Sequence, residues 1–240
     1  MRETVSLVST ARVGAVLQVT LDRPEKRNAL NRQLALDACD AVEAVADDEA
    51  IAVIVLRGAG GSLSAGADLS DADAVAAMRR DYTRDPLARL PRLLRASAVP
   101  TVAVVDGYAL GAGTALAGSC TFTVATRRSI FGLPEGPMGY FPYGVVPFLS
   151  DRVAAHTVLE WGLSGRKVSA EEATRAGLVT HFVEDPDLIS AVDTLTTALS
   201  MSGPKVAREG IRWLSTQRSG IAPGDMIAWG EAEIQRAADT

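Results

Sequence analysis

The stretch from Pro100 to Phe131, PTVAVVDGYALGAGTALAGSCTFTVATRRSIF, constrains the fold more than any other part of the chain. Thr101 to Val105 is a short, uncharged run of mostly β-branched residues, which suits a strand buried on both faces. Asp106-Gly107 closes it with turn chemistry. Gly111-Ala112-Gly113 opens a segment of small residues that reaches Gly118, too short and too smooth for a surface helix. Thr121 to Ala125 is a second buried strand. The stretch therefore predicts a short buried helix between two buried strands, its first turn almost bare of side chains. A helix N-terminus carries unpaired N–H groups and a partial positive charge. With the side chains gone, an oxygen of another molecule can approach those donors, so the pattern outlines an anion or oxyanion site.

The flanking sequence predicts a sheet around this helix. Ala15 to Leu21 alternates as a half-buried strand, pairing with Val5 to Val8. The polar segment LDRPEKRNALN follows as a loop, in which Asn28 or Asn31 caps a helix over about Arg32 to Ala46. Ala52 to Leu56 is a third buried strand, and GAGGSLSAGAD (Gly58 to Asp68) is a second glycine- and alanine-rich turn directly after it. Residues 70–96 read as helix, break near Pro86, then helix, with a run of arginines at 79–95 that suits a solvated face or contact with phosphates. Alternating strands and helices imply right-handed crossovers and a mainly parallel sheet. Helices follow at about 145–163. Ser169 and Glu172 form a capping box, Gly177 sits at a C′ position, and Leu178 to Val183 is a further strand. From Pro186 onward the pattern is helical, with turns near Gly203-Pro204 and Ala222-Pro223.

Whole-chain properties exclude several functions. The 240 residues suffice for a large core, and a net charge of −5 argues against nucleic acid as the main partner. No apolar run reaches the length of a membrane span, and the N-terminus lacks the apolar region of a signal peptide. Two cysteines without CxxC spacing fit reduced, buried thiols in a cytoplasmic protein. The two histidines, His156 and His181, have no ligand partners at metal-binding spacing, so no metal site is expected. GxSxG and GxxxxGK[ST] motifs are absent, and Gly111-x-Gly113-x-x-Leu116 lacks the third glycine of a dinucleotide fingerprint.

Glu135 stands apart. It is the only charge among the sixteen residues from Ser129 to Gly144, read as an apolar loop with four glycines and three prolines. A carboxylate placed there is either a structural acceptor or a base with an elevated pKa.

Five segments together resemble the crotonase superfamily, the enoyl-CoA hydratase/isomerase family: LDRPEKRNALN, SLSAGADL, PTVAVVDGYALGAGTALAG, FGLPE and SGRKVSAEEATRAGLV. The resemblance spans about residues 12–183. It implies an α/β fold of crotonase-like repeated ββα units (a spiral core, residues 1–189) with a C-terminal helical trimerisation region (190–240), assembled as a homotrimer or homohexamer. It also implies an acyl-CoA thioester as partner, with coenzyme A as part of the substrate, no separate cofactor, and an enolate held by two backbone N–H groups. By position these donors are those of Ala67 and Ala112. Ala65, Gly66, Asp68, Leu69 and Gly111 fall at substrate-binding positions, and Lys26 and Arg27 at positions that meet the CoA phosphates. Glu135 falls on one of the two glutamates of the family's hydratases, while the other falls on Ala115. Tyr143, in Pro142-Tyr143-Gly144, resembles the tyrosine of the superfamily's decarboxylases. With one carboxylate the resemblance favours allylic isomerisation of a 3-enoyl to a 2-enoyl thioester. Hydration, decarboxylation and acyl-CoA binding without turnover stay open.

Overall fold

The computed structural model describes residues 6–71 and 85–218. The helix expected between 70 and the break at Pro86, and the tail beyond 218 with Ile227 and Ile234, lie outside the described residues.

A six-stranded sheet carries the core. Its first two strands, β1 (Val8–Val13) and β2 (Val16–Leu21), form an antiparallel hairpin. The turn between them falls at Gly14, so the hairpin begins at Val8 where the sequence predicted pairing from Val5 to Val8. Strands β3 (Val53–Gly58), β4 (Thr101–Val105), β6 (Phe122–Thr126) and β9 (His181–Val183) extend the sheet in parallel, in the order β1-β2-β3-β4-β6-β9. The mainly parallel sheet and the strand at each apolar run follow the sequence reading. A second, three-stranded sheet was not anticipated. It joins β5 (Tyr108–Leu110), β7 (Ile130–Gly132) and the two-residue β8 (Val168–Ser169). Strands of two or three residues are too short to show a period, so only pairing defines them.

The apolar runs of the central strands are uncharged because both faces are covered, and the one charge, Arg57 near the end of β3, is exposed. One face, with Leu56, Ala103, Val105 and Ala125, packs on α1 (Arg32–Glu43), α2 (Pro86–Arg95) and α3 (Ala112–Ser119). The alternate residues Val53, Val55, Val102, Val104 and Val124 point to the other face. There they meet Leu188, Val192, Leu195 and Leu199 on and beside α6 (Leu188–Met201). The first helix of the C-terminal region therefore completes the core layer. The expected division at 189/190 runs through a helix packed on the sheet.

Local chemistry explains the helix ends. The Asn31 side chain caps α1 by accepting from the Leu34 N–H at 2.8 Å. The Asp85 carboxylate accepts from Leu87 N–H at 2.9 Å, and Pro86 begins α2 at the position where a missing N–H costs nothing. Helix α4 (Ala155–Ser164) follows a 3₁₀ turn at Val146–Phe148. Ser169 caps α5 (Ala170–Arg175) through Glu172 N–H at 3.2 Å. The expected capping box is only half made, because the Glu172 carboxylate faces Arg166 and Trp161. Helix α7 (Gly203–Arg218) ends the described chain. Cys39 and Cys120 are buried and unbridged, and burial pushes their thiols up to about 11 and about 12. Both sulfurs are thus inert at neutral pH.

Candidate active site

Two backbone turns meet above the sheet. The first follows β3, where Leu30 forms a parallel bridge with Ala67. Leu30 N–H donates to Gly66 O at 2.7 Å, and Asp68 N–H donates to Leu30 O at 2.9 Å. A parallel bridge of this kind uses the groups on either side of Ala67 and turns its own N–H the other way. Among the described residues no acceptor meets it. The second turn precedes α3. Gly111 N–H donates to Gly132 O at 2.9 Å, and the first helical bond runs from Ala115 N–H to Gly111 O at 3.1 Å. Ala112, the first residue of α3, has an N–H without an acceptor in the described chain.

The turns are stitched together. Ser64 N–H donates to Tyr108 O at 3.2 Å, and Leu110 N–H donates to Ser64 O at 3.0 Å. Gly66, at φ +101°, lies so close to this strand that a Cβ would stand 2.9 Å from Leu110 O and 3.8 Å from Ala112 N. Both unpaired donors thus open into one place. The first turn is held from below by Asn28, which is fully buried. Its amide nitrogen donates to Ala59 O at 3.0 Å and Ser62 O at 2.7 Å, while its oxygen accepts from Arg23 N–H at 2.9 Å. Sequence reasoning offered Asn28 as a helix cap. A buried amide that fastens a loop has the same polar-loop signature, and only tertiary contacts separate the two.

Glu135 lies against the second of these turns. A Cβ on Gly111, which sits at φ +50°, would stand 2.6 Å from Glu135 Oε1, so a glycine there leaves the carboxylate its place. The loop that carries Glu135 turns tightly, with Met138 and Tyr140 N–H groups both donating to its carbonyl at 3.0 Å. It leans on α4, where a Cβ on Gly136 would meet Gly162 O at 2.2 Å. Glu135 Oε2 is buried and meets no donor among the described residues. Burial raises the Glu135 carboxyl above its ordinary value.

These groups line a cavity of about 550 Å³. Its walls hold Ala65, Gly66, Ala67, Leu69, Gly111, Ala112, Glu135 and Tyr143, all singled out in the sequence, together with Leu87, Met138, Tyr140, Phe141 and Val145. Glu135 is the one carboxylate among these lining residues. Three expected contacts lie outside it. Asp68 is buried under the turn, where Arg23 Nη1 donates to it at 2.6 Å and Ser70 N–H and Oγ donate at 2.9 and 2.6 Å. The Ser70 and Arg23 bonds hold its pKa down at about 2. Its carboxylate is thus occupied in bracing the turn, not directed at a ligand. Lys26 and Arg27 are exposed on the loop, with Arg27 stacked 5.1 Å over the Tyr108 ring. Ala115 is also out of reach, fully buried within α3. Tyr143 stands at the mouth, 79% exposed, edge-on to Phe141 at 4.9 Å.

A family model described as enoyl-CoA hydratase/isomerase matches residues 11–218. The chain belongs to the enoyl-CoA hydratase/isomerase family. Among relatives, the 2,3-dehydroadipyl-CoA hydratase of Escherichia coli is 35% identical over 227 residues, covering 93% of this chain and 85% of its own. The crotonyl-CoA hydratase of Syntrophomonas wolfei is 32% identical over 190 residues, covering 78% and 73%. The crystal structure of an enoyl-CoA hydratase/isomerase from Marinobacter aquaeolei superposes with a TM-score of 0.87 at 23% identity, over 98% of this chain and 92% of that one. That last likeness speaks for the fold alone: the crotonase fold, with its C-terminal helical region. In a family member, an apolar cavity with two free backbone donors and one buried carboxylate can polarise a thioester and move a proton beside it. No described helix is long and apolar enough to cross a membrane.

Proposed function

We propose that this family member isomerises 3-enoyl-CoA to 2-enoyl-CoA thioesters, with Glu135 as its single proton carrier. The observation behind this reading is the Glu135 carboxylate: buried, without a donor on Oε2, and alone among the described lining residues. The thioester oxygen accepts from Ala67 and Ala112 N–H. Glu135 takes a proton from the α-carbon, and the electron pair moves through the carbonyl carbon onto that oxygen as the enolate. The raised pKa suits the carboxylate to this abstraction. The enolate then collapses through the new α,β double bond while protonated Glu135 returns its proton to the γ-carbon. Proton and electrons balance without a further reactant, so coenzyme A enters only as part of the substrate. Adding water would ask for a second group to position it, and the residue expected to supply one is Ala115, sealed within α3.

The relatives named as hydratases support hydration as a second reading. Decarboxylation would draw on Tyr143 at the mouth. A panel of 3-enoyl, 2-enoyl and malonyl-type thioesters, with products identified by mass spectrometry, separates the three. We expect isomer without added water, and a loss of about 100-fold or more in turnover for Glu135→Gln. Appearance of 3-hydroxyacyl product as the main species overturns isomerisation in favour of hydration. An active Glu135→Gln beside a dead Tyr143→Phe on the malonyl-type thioester installs decarboxylation instead. We further propose that the C-terminal helices assemble subunits. Ile189, Met201, Val206 and Trp213 are at least half exposed on α6 and α7. Sedimentation should show a trimer or hexamer, and a compact monomer at micromolar concentration refutes this.

A further inference from the structure

One buried hydroxyl joins the two halves of the site. Thr114 lies in the first turn of α3, two residues after Ala112, and is fully buried. A serine or threonine inside a helix ordinarily donates to the carbonyl four residues earlier. Ser119, at the other end of α3, does so, with Oγ 2.6 Å from Ala115 O. Thr114 reaches across the fold instead. Its Oγ1 stands 2.7 Å from Ala109 O on β5 and 2.9 Å from Gly132 O on β7, and it accepts from Gly132 N–H at 3.4 Å. Gly132 O also accepts from Gly111 N–H at 2.9 Å, so two bonds from the head of α3 converge on one carbonyl. Strand β5 runs directly into Gly111 and Ala112, and β7 reaches Glu135 three residues beyond Gly132. We infer that Thr114 is a positioning residue, whose hydroxyl holds the Ala112 N–H and the Glu135 carboxylate in register with each other. This rests on the reading given above, in which those two groups act on an acyl thioester as oxyanion donor and base.

The surroundings show what this hydroxyl adds. The first turn of α3 is pressed against the Ala67 turn, where a Cβ on Gly113 would stand 2.3 Å from Ser64 O. The two N–H groups are thus fixed to each other without help from Thr114. Glu135 belongs to a separate loop. Its Oε1 fills the space left by the missing Cβ of Gly111, and its Oε2 meets no donor among the described residues, so the carboxylate depends on where β7 delivers it. The bonds from Gly111 N–H and Thr114 Oγ1 to Gly132 O fasten β7 to the head of the helix. Reacting groups held by different segments transfer a proton efficiently only while their spacing is kept.

The test is steady-state turnover of the full chain, with Thr114→Val, Thr114→Ser and Ser119→Ala beside the parent, on whichever of the 3-enoyl and 2-enoyl thioesters the parent converts faster. Valine keeps the branched shape without the hydroxyl, and serine keeps the hydroxyl without the methyl group. A misplacement of about 1 Å costs about 100-fold, and the Gly111 bond remains, so kcat of Thr114→Val should fall by about 10- to 100-fold. KM should change by less than about threefold, since only the alignment needed in the transition state is lost. Thr114→Ser should stay within about threefold of the parent in kcat. Ser119→Ala removes a bond internal to the same helix and should leave kcat unchanged, which separates the lost cross-link from a softened α3. Thermal unfolding checks that each variant is folded at the assay temperature. A folded Thr114→Val with parental kcat overturns the inference and leaves the donor and base assignments standing. Equal losses in Thr114→Val and Ser119→Ala, a loss carried by KM, or a serine variant as slow as the valine one overturn it as well. Should Thr114→Val not fold, Thr114→Ala takes its place; if neither folds, the hydroxyl serves the whole fold and the inference fails. A parent inactive on both thioesters removes the underlying reading and this inference with it.

Discussion

Replacing Ala112 by proline isolates the proposed oxyanion donor from everything else in the site. Ala112 is the first residue of α3, and its N–H donates to nothing in the described chain. The helix begins its own bonding with Ala115 N–H to Gly111 O, which the substitution leaves in place. Proline's fixed φ is at home in the first helical position. Stability should therefore change by no more than about 1 kcal/mol. Under the proposed mechanism catalysis should change far more, because Cδ of the ring takes the place of the hydrogen that would be donated to the thioester oxygen. Loss of one such donor costs about 100- to 1000-fold, or about 2.7–4 kcal/mol of transition-state stabilisation. Charge grows on that oxygen only as the enolate forms, so the loss should fall on kcat more than on KM. The assay is initial-rate conversion of a 3-enoyl thioester, with kcat and KM resolved, beside thermal unfolding of the same preparation. Ala112→Gly keeps the N–H and should retain most activity. A folded Ala112→Pro with kcat within about threefold of the parent refutes the assignment.

Other perturbations probe what holds the site. Burial raises the Glu135 pKa, so the folded protein binds this proton more tightly than the unfolded chain does. Its charge then costs stability as pH rises from about the ordinary value of 4.5 through the raised one, and the cost is fully present above it. Glu135→Gln should accordingly raise the Tm at pH 8 while it removes activity, and should lose that advantage near pH 4. The parent's turnover should fall as pH drops through the raised pKa. A Tm unchanged at both pH values would show that the carboxylate is not desolvated. Arg23→Ala leaves Asp68 with Ser70 as its one side-chain partner among the described residues and should cost about 3 kcal/mol in urea unfolding. The Asp68 contribution is present above about 3.8 and lost as pH falls towards about 2, so the gap between parent and variant should narrow in acid. Asn28→Ala removes three hydrogen bonds from a fully buried amide and should cost roughly 2–4 kcal/mol, read in the same unfolding experiment.

Local pattern was enough for much of this protein. Uncharged β-branched runs marked the buried strands, since a strand covered on both faces has nowhere to put a charge. The bare glycine and alanine turns after β3 and before α3 marked exposed backbone donors, because missing side chains are visible in any sequence. Glu135 was visible because one carboxylate interrupts fifteen uncharged positions. These are properties of consecutive residues. What required the tertiary structure depends on pairs far apart in the chain. Ala67 owes its free N–H to a bridge with Leu30, thirty-seven positions earlier. The short strands β5, β7 and β8 are defined by pairing, with one another and, for β5, with Ser64, and they set Gly111 against Glu135. Asp68 and Ala67 are neighbours in one motif, yet the carboxylate is tied down by Arg23 while the N–H opens into the cavity. Composition cannot tell those two fates apart: which way a group faces along a turn is decided by what the rest of the fold presses against it.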